Sequence, residues 1–550
     1  MSASRTPLVV VGDALLDHDL CGRAERLAPD APVPVVHGTR RSSRPGGAAL
    51  AACLAACDGR PVTLVTALGD DPASHTVREL LAGRVTLVEV PLDGTLSSKT
   101  RVLAGDRPLL RLDDGEGRAR EATEAAETAV TGADGILVAD YGRGTADVLR
   151  AALATAAVRA PVVWDPHVRG RPPVAGVRLA TPSAQEARTF ARQLAGGRHH
   201  DEQAVLRVAA GAREEQAEAR DSGGAGPRTA ARDPRGAGLA GLPRADGDPD
   251  EHAGLPTAAR DAGALVGAWR ARAVAVTLGE RGALLSHGEI PLLVPAPAAV
   301  TGDPCGAGDR FAATAAGLLA DGGFTEAAVR AAVHAATRYV AEGGARTITA
   351  HEPPSTDQPS PVQPSVEAGA PADGDTTADV VRPGADDVHT ATYDAVRTAA
   401  RVRAAGGTVV AAGGCFDLLH AGHVALLQAA RRAGDCLIVC VNSDDSVRRG
   451  KGAGRPLVPV ADRVRVLRAL ECVDAVAVFE EDTPERILGA LRPHIWAKGG
   501  DYARTRLPEQ PLVESWGGQV LLLPYLDGRS TTGLARRAAR SPAPTAGGAR

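Results

Sequence analysis

Short apolar runs alternate with Ala-rich amphipathic stretches along most of the chain. In the first part of the chain the apolar runs lie at residues 8–11, 62–65, 135–138, 162–164 and 273–277, and in the second part at 408–412, 436–441, 475–479 and 520–523. Runs of this length between helical stretches are typical of strands buried on both faces of a parallel sheet. We therefore predict an α/β protein with two mainly parallel sheets.

Two stretches interrupt this pattern and predict the domain organisation. Residues 196–262 are rich in Ala, Gly, Arg, Asp and Pro without sustained hydrophobic periodicity, so we expect a disordered insert there. Residues 351–387 are rich in Pro, Ser, Asp and Gly, which is typical of a flexible linker. Because 550 residues are too many for one core, we expect a first domain at 1–350, a second at 388–540 and a disordered tail at 541–550.

The composition changes this picture little. Hydrophobic residues make up 44% and charged residues 23% of the chain, and the formal net charge is -4. This balance leaves no basic surface of the kind that nucleic-acid binding needs, so we expect no nucleic-acid partner and interpret the Arg-rich run at 536–540 as a solvated helix end. No apolar run is long enough to span a bilayer and the start lacks a signal-peptide core, so we expect no membrane contact and a cytoplasmic location. The eight cysteines form no Cys-x-x-Cys pair, which favours free thiols.

The strongest local signal in the second domain is the run Gly-Cys-Phe-Asp-Leu-Leu-His-Ala-Gly-His at 414–423, between a predicted strand and a predicted helix at 424–433. His420 and His423 are three residues apart at a helix start, so both side chains can face one pocket. The glycines allow a polyphosphate to approach the backbone, and a helix start favours negative charge. Two imidazole donors there would stabilise charge that develops on phosphates during nucleotidyl transfer.

This run resembles the Gly-x-Phe-Asp-x-x-His-x-Gly-His signature of the cytidylyltransferase-like nucleotidyltransferases. The segments 441–444, 455–456, 479–484, 498–502 and 530–532 resemble one subgroup, the heptose 1-phosphate adenylyltransferases. The resemblance implies that the nucleotide and its phosphates are held by Phe416, Asp417, Gly422, Lys451, Arg463, Ser530, Thr531 and Thr532. It implies that Asp444, Lys498 and Asp501 lie on the sugar-phosphate side, although both aspartates also suit ordinary turns or helix caps.

A second local signal lies in the first domain, at Gly-Asp-Pro-Cys-Gly-Ala-Gly-Asp (302–309), before a predicted helix at 310–319. Backbone N–H groups of Gly306, Ala307 and Gly308 at a helix start can form an anion-binding hole. Asp309 at its mouth could accept a proton from a sugar hydroxyl that attacks the γ-phosphate of ATP.

Together with the runs at 12–17, 45–49 and 277–282, this segment resembles the ribokinase-like (PfkB) carbohydrate kinases. The segments 28–35, 99–102 and 140–144 resemble the heptose 7-phosphate kinases within them. The resemblance implies that Asp13 and Asp17 bind sugar hydroxyls, with Gly46 and Gly47 allowing a close approach of the backbone. It also implies a nucleotide-side turn with Thr277 and Gly279, candidate substrate-phosphate ligands Lys99 and Arg101, and an indirect magnesium role for Glu186.

Taken together, the resemblances imply a ribokinase-like three-layer domain followed by a Rossmann-like nucleotidyltransferase domain. They imply ATP- and Mg²⁺-dependent phosphorylation of D-glycero-D-manno-heptose 7-phosphate at C1, adenylyl transfer from ATP to heptose 1-phosphate, and a homodimer formed through the first domain. Three departures are Leu50 and Ser183, where the kinase family has Asn, and His167, where it has Lys. The alternative is a nucleotidyltransferase for another sugar or polyol phosphate, whose kinase-like domain is inactive, regulatory or specific for a different sugar.

Overall fold

The computed structural model describes residues 5–29, 31, 33–105, 107–195, 254–347, 386–499 and 507–524. Four predicted site residues lie outside these ranges: Asp501, Ser530, Thr531 and Thr532. Most of the predicted insert, nearly all of the predicted linker and the whole predicted tail lie outside them too. Within the described ranges, no helix is long and apolar enough to cross a membrane.

The strands are numbered along the chain. Those before the predicted linker are β1 (Leu8–Gly12), β2 (Ala14–Leu27), β3 (Pro34–Gly47), β4 (Val62–Leu68), β5 (Thr86–Asp93), β6 (Ser98–Ala104), β7 (Arg107–Asp114), β8 (Arg118–Ala119), β9 (Ile136–Ala139), β10 (Val162–Asp165), β11 (Leu179–Ala180), β12 (Val274–Thr277), β13 (Ala283–Ser286) and β14 (Leu292–Val294). Those after it are β15 (Val409–Gly414), β16 (Cys436–Asn442), β17 (Ala475–Phe479), β18 (Ile495–Gly499) and β19 (Gln519–Leu523).

The helices are numbered in the same way. The first domain contains α1 (Ala48–Cys57), α2 (Pro72–Leu81), α3 (Glu124–Gly132), α4 (Thr145–Val148), α5 (Arg150–Ala156), α6 (184–195), α7 (Leu255–Trp269), α8 (Ala307–Ala320) and α9 (Thr325–Ala341). The second contains α10 (Asp386–Ala404), α11 (Ala421–Arg431), α12 (Asp444–Lys451), α13 (Val460–Arg468), α14 (Glu485–Leu491) and α15 (Gln510–Ser515).

The first domain is built on a sheet in which β1 pairs in parallel with β4 on one side and β9 on the other. Alternate residues of a strand point to opposite faces. Leu8 and Val10 pack with α1, α8 and α9, whereas Val9 and Val11 pack with α3, α5 and α7. Helices therefore cover both faces, and the expected three-layer α/β arrangement is confirmed.

Four strands form a separate small sheet in the order β3-β2-β6-β7, which is called the small sheet below. The ends of β2 and β3 nearest to β1 and α1 are buried, whereas β7 is exposed along its whole length. The sequence analysis did not predict this sheet.

The second domain is a five-stranded parallel sheet in the order β17-β16-β15-β18-β19. Helix α10 covers one side, where Ala395 and Ala399 pack against β15, β16 and β17. The two sheets meet at their edges, because β14 pairs in parallel with β19. Leu522 N–H donates to the carbonyl oxygen of Pro291 at 2.9 Å.

The insert and the linker end earlier than expected. Residues 255–262 were placed in the disordered insert, but they form the first half of α7. This prediction was wrong because Pro256 was interpreted as part of a disordered run, whereas proline is favoured in the first turn of a helix. The apolar stripe of α7, which includes Leu255, Ala259 and Leu265, is buried against the sheet. Helix α10 begins at Asp386, within the predicted linker.

Two candidate active sites

Asp309 lies in the first turn of α8 with its carboxyl group buried. The hydroxyl of Tyr141 donates a hydrogen bond to Oδ1 of Asp309 at 2.8 Å. Burial raises the pKa of Asp309 to about 7, although the hydrogen bond from Tyr141 opposes that rise and the nearby carboxylate of Asp17 adds to it. A carboxyl group that titrates near neutral pH is suited to act as a general base.

The predicted anion-binding hole lies at a helix start beside Asp309. Gly306 precedes α8 with a left-handed φ of 80°. A Cβ atom there would lie 2.6 Å from the hydroxyl oxygen of Tyr339 and 2.7 Å from Cδ2 of Leu50, so the position admits only glycine. Ala307 and Gly308 follow as the first residues of the helix, where backbone N–H groups have no partner within the helix, although the N–H of Ala307 donates to the carbonyl oxygen of Pro304 at 3.0 Å.

A cavity of about 490 Å³ adjoins this helix start. It brings together four residues predicted for nucleotide binding: Thr277, Gly279, Ala307 and Gly308. The rest of its wall is largely apolar and includes Val300, Phe311, Val333, Ala336 and Val340. A mostly apolar cleft with a polar end is the usual form of a site for a nucleotide-sized ligand.

Asp13 is buried and is bonded to the backbone of a neighbouring loop. Its carboxylate is buried and accepts hydrogen bonds from the backbone N–H groups of Tyr141, Arg143 and Thr145 at 3.0, 2.8 and 3.1 Å. The side chain therefore fixes the loop that carries Tyr141, and a direct contact with a sugar hydroxyl stays a prediction.

The other predicted sugar ligands lie on the small sheet. Asp17 on β2 faces Gly46 on β3, and a Cβ atom on Gly46 would lie 3.0 Å from the carboxylate of Asp17. Gly47 follows at the end of β3. Burial raises the pKa of Asp17, and the cationic side chains of Arg44, Lys99 and Arg101 oppose that rise. The structure thus brings Asp17, Gly46 and the two predicted cations together.

The predicted magnesium residue, Glu186, lies in the first turn of α6. Its Oε2 accepts hydrogen bonds from the backbone N–H and the hydroxyl of Ser183 at 2.9 and 2.8 Å, which is a capping box. Burial raises the pKa of Asp165 well above its ordinary range, and the carboxylates of Asp309 and Glu186 add to this rise. In the described part of the chain, no group of three or more His, Cys, Asp or Glu residues is arranged to hold a metal ion directly.

In the second domain the predicted histidine pair is formed. His420 precedes α11, and its Nδ1 accepts a hydrogen bond from the N–H of Gly422 at 3.2 Å. The rings of His420 and His423 are stacked with their centroids 3.9 Å apart, and the ring of Phe416 lies 5.4 Å from that of His423. Burial lowers the pKa of His423 to about 4, with His420 and Lys451 contributing, so this imidazole is neutral at neutral pH.

The loop between β15 and α11 has an unusual backbone. Phe416 and Leu418 have positive φ angles of 46° and 59°, which residues other than glycine rarely adopt. Such conformations persist where surrounding contacts enforce them, and they cluster at functional sites.

Asp417 and Arg463 make contacts that hold the backbone of this loop in place. Asp417 accepts hydrogen bonds from Nη1 of Arg455 at 2.6 Å and from the N–H groups of Leu457 and Val458 at 2.9 and 3.1 Å. Arg463 donates to the carbonyl oxygen of Cys415 at 2.6 Å, and also to Asn442, Val458 and Asp444. Both side chains therefore brace the site, and a direct phosphate contact from either stays a prediction.

The remaining predicted residues of the second domain contact other side chains. Lys451 Nζ lies 2.8 Å from Sγ of Cys415, and both residues line a cavity of about 340 Å³. Asp444 is paired with Arg463 at 2.6 Å. Lys498 pairs with Glu509 at 3.2 Å, at the end of β18.

Three residues of the first site were missed as functional candidates. Tyr141 lies in the segment 140–144, whose resemblance assigns no role to its side chain, and Asp165 directly follows the predicted strand at 162–164, where ligands meet parallel sheets. Arg44 has no local signal, because only the pairing of β2 with β3 brings it beside Asp17.

Comparisons with known proteins place family matches on both halves of the chain. Residues 251–352 match the pfkB family carbohydrate kinase model, and residues 411–521 match the cytidylyltransferase-like model. The bifunctional protein HldE of Streptomyces coelicolor is 56% identical over 535 residues, which is 97% of each chain. HldE of Azorhizobium caulinodans is 34% identical over 548 residues, covering 97% of this chain and 98% of that one. A structure of Arabidopsis thaliana ribokinase with ribose and ATP is 19% identical, with a TM-score of 0.42 and coverage of 62% of this chain and 95% of that one.

Proposed function

Because this chain belongs to the HldE family of bifunctional proteins, we propose that it activates a heptose through two separate ATP-dependent transfers. The first domain phosphorylates C1 of D-glycero-D-manno-heptose 7-phosphate, and the second joins heptose 1-phosphate to AMP. The observation that carries the proposal is the presence in one chain of two sites for phosphate chemistry. One is a buried Asp309 at a helix start beside a nucleotide-sized cavity, and the other is the stacked pair of His420 and His423.

In the kinase step, the C1 oxygen of the sugar attacks the γ-phosphorus of ATP, ADP leaves, and the hydroxyl proton passes to the carboxylate of Asp309. A pKa of about 7 leaves a substantial fraction of Asp309 ionised at neutral pH. The backbone N–H of Gly308, in the first turn of α8, would donate to the negatively charged transferred group. Tyr141 orients the Asp309 carboxylate through its hydrogen bond.

We propose that Mg²⁺ accompanies ATP in this step, with Glu186 and Asp165 as the residues that hold its water shell. Only Oε2 of Glu186 is used by Ser183, so the other carboxylate oxygen can accept from a metal-bound water. The ion, when bound, neutralises charge on the ATP phosphates. In addition to burial, the carboxylates of Asp309 and Glu186 raise the pKa of Asp165, because like charges repel. A cation between them would stabilise their ionised forms, which supports this assignment.

In the adenylyl transfer, a phosphate oxygen of heptose 1-phosphate attacks the α-phosphorus of ATP and pyrophosphate leaves. His420 and His423 stabilise the charge that develops on the α- and β-phosphates. The low pKa of His423 keeps its imidazole neutral, so it acts as a hydrogen-bond donor rather than as a cation. Lys451, beside Cys415 at the edge of the adjacent cavity, supplies positive charge for the phosphates.

The organisation of the chain is part of this proposal. We propose that residues 1–350 are the kinase, that 388–540 are the adenylyltransferase, and that the enzyme acts in the cytoplasm. We also propose a homodimer through the kinase domain. The exposed strand β7 supports this, because Leu110 and Leu112 expose 55% and 47% of their surface there.

The deciding experiment offers ATP with heptose 7-phosphate in one tube and ATP with heptose 1-phosphate in another, and measures ADP and pyrophosphate. We expect ADP from the first tube and pyrophosphate from the second. Asp309→Asn should remove only the ADP signal and His423→Asn should reduce only the pyrophosphate signal, each by about a hundredfold or more.

Other outcomes point to the alternative functions. Pyrophosphate without ADP would mean that the kinase-like domain is inactive, regulatory or specific for another sugar. Leu50 stands where the kinase family has Asn, and its Cδ2 would lie 2.7 Å from a Cβ atom at Gly306. This apolar side chain beside the helix start gives that alternative its structural basis. Reaction with CTP or another sugar phosphate, and with neither heptose, would refute the heptose assignment.

A further inference from the structure

The thiol of Cys305 contacts a cation of the small sheet. Cys305 directly precedes Gly306 at the start of α8, and it is only partly buried. Nη2 of Arg101 on β6 lies 2.6 Å from its Sγ. The backbone N–H of Cys305 donates to Oδ1 of Asp303 at 3.0 Å, so the loop is held in place without use of the sulfur atom. A cation in contact with a thiol favours the ionised thiolate, which is the nucleophilic form.

Two buried side chains beside this loop have donors that no acceptor uses. Arg44 exposes 2% of its surface, and its Nε and Nη2 have no hydrogen-bond partner among the residues that the structure describes. Tyr339 exposes 6%, and within the same described ranges its hydroxyl is also unpaired. The hydroxyl oxygen would lie 2.6 Å from a Cβ atom on Gly306, so it points at the loop that carries Cys305. Buried donors without an acceptor are costly, and native proteins normally satisfy them.

Both unused donors are close enough to Cys305 to interact with it electrostatically. Burial raises the pKa of Tyr339, and Cys305 is the first of the neighbouring groups that add to this rise. Burial lowers the pKa of Arg44, but the two aspartates of β2 and Cys305 outweigh it and raise that pKa above its ordinary value. The donors of Arg101, Arg44 and Tyr339 therefore lie around one sulfur atom, and an anion at that atom would satisfy them.

The other thiols of the described chain lie in different settings. Nζ of Lys451 lies 2.8 Å from Sγ of Cys415, but this ammonium is exposed to solvent, which weakens its effect. Cys57 is exposed at the end of α1. Burial raises the pKa of four further thiols, which are therefore protonated: those of Cys53, Cys436, Cys440 and Cys472. Cys305 thus combines access for a reagent with a buried guanidinium and unused donors nearby.

We propose that Cys305 is a site of reversible oxidation by hydroperoxides, and that its oxidation stops the first transfer. The thiolate attacks one oxygen of the peroxide, so that an S–O bond forms and the O–O bond breaks. The second oxygen leaves as hydroxide and takes up a proton to form water. The peroxide is thereby reduced, while the sulfur loses two electrons and becomes a sulfenic acid. Two equivalents of a thiol reverse the step, because the sulfur is reduced while the thiols form a disulfide and water is released.

The product of this oxidation interferes with the loop that precedes α8. The new oxygen on Sγ accepts hydrogen bonds from Arg101, Arg44 and Tyr339, which stabilises it. The space beside Gly306 is full, since even a methyl group there would meet the Tyr339 hydroxyl at 2.6 Å, so the larger side chain displaces the loop. A displaced loop misaligns the transferred phosphoryl group, and ADP release should fall by about tenfold or more. This effect on the rate rests on the proposed kinase function.

The test exposes the full chain to hydrogen peroxide, traps sulfenic acids with dimedone and measures ADP release in parallel samples without dimedone. Cleavage after Lys and Arg releases residues 282–310 as one peptide, in which Cys305 is the only cysteine, so dimedone on this peptide reports the one thiol. We expect Cys305 to be labelled before Cys57, although Cys57 is the more exposed. ADP release should fall with the oxidation and should return after treatment with dithiothreitol.

Two pairs of variants separate this site from general oxidative damage. Cys305→Ala should make ADP release resistant to peroxide, and the matched control Cys57→Ala should remain as sensitive as the wild type. Arg101→Gln should slow the labelling of Cys305 by about tenfold, because the thiolate loses its cation. Arg41→Gln removes the same charge from an exposed position of the small sheet opposite Leu20, and it should leave the labelling rate unchanged.

Labelling of Cys57 without labelling of Cys305 would overturn the proposal, and so would a Cys305→Ala chain that peroxide inactivates as fast as the wild type. If Cys305→Ala is inactive before treatment, the labelling rates decide, and equal rates in the wild type and Arg101→Gln refute the proposal. A wild-type chain that releases no ADP before treatment would refute the proposed kinase activity alone, since the labelling of Cys305 is measured without it.

Discussion

Replacing Tyr141 by Phe should shift the pH dependence of the kinase to higher pH. The Tyr141 hydroxyl donates to Oδ1 of Asp309 at 2.8 Å, and this bond favours the ionised carboxylate against the burial that raises its pKa to about 7. A buried hydrogen bond of this kind contributes about 1 kcal/mol, which corresponds to about 0.7 pH unit. Phe keeps the ring beneath Lys99, so that contact is preserved.

The direction in which the kinase rate changes with pH follows from the role of Asp309 as the base. Only the carboxylate accepts a proton, so the kinase rate should fall as the pH drops through about 7. At pH 6 about one tenth of a group with a pKa of about 7 is ionised, and the upward shift should reduce that fraction by about a further fivefold. At pH 8.5 the two enzymes should differ by only about a tenth.

The assay is ADP release from ATP and heptose 7-phosphate, with kcat/KM measured from pH 6 to 9. Titration of the substrate phosphate affects both enzymes equally, so the displacement between their profiles isolates Asp309. Pyrophosphate release by the second domain of the same preparation is the internal control and should be unaffected. A wild-type profile that is flat between pH 6 and 8, or a Tyr141→Phe profile that is not displaced upward, would refute the reasoning.

Three further changes have distinct readouts. Asp309→Asn should raise the melting temperature at pH 8 but not at pH 4, because a pKa raised to about 7 lowers the stability of the wild type progressively between about pH 4 and pH 7, with about 4 kcal/mol as an upper limit above pH 7. Gly46→Ala should weaken sugar binding by about tenfold without affecting ATP binding, since the added methyl meets the Asp17 carboxylate; equal losses for both ligands would contradict this. Asp417→Ala should destabilise the second domain by about 3 kcal/mol in thermal unfolding, because Arg455 loses a buried partner, while ADP release persists.

Local motifs made the position of both candidate phosphate-binding loops predictable. Gly306, Gly308 and Asp309, like His420 and His423, lie within short runs that follow a strand and begin a helix. The helix starts were misplaced, however, since α8 begins at Ala307 rather than 310 and α11 at Ala421 rather than 424. Small and polar residues occupy these first turns, so the apolar periodicity begins only after them.

The strands of the small sheet were not predictable from the apolar pattern, for a related reason. Its strands carry Asp17, Arg44 and Lys99 on the face toward the active site, and β7 is exposed on both faces, so apolar alternation is lost. The strand signal depends on one face being buried in apolar surroundings. A sheet that covers a polar site hides this signal.

Long-range contacts within the sites could not be predicted from any one stretch of sequence. Tyr141 and Asp309 are 168 residues apart, and the hydrogen bonds that Asp13 accepts from the loop around Tyr141 span 128 to 132 residues. The buried state of Asp309, which sets its pKa, exists only when α8 packs on the sheet. Residue identity indicated the chemistry, and tertiary packing determined the protonation of each group.

Burial shifts the pKa values of Asp309 and His423 in opposite directions. It raises the pKa of Asp309 to about 7, so the base of the kinase is fully ionised only above neutral pH. It lowers the pKa of His423 to about 4, so the donor in the second site is neutral throughout the physiological range. The first transfer should therefore fail before the second as the pH falls below 7. At pH 6 the chain should leave heptose 7-phosphate largely unused while it still converts added heptose 1-phosphate, and the reverse order would mean that protonation of these two groups does not govern the two rates.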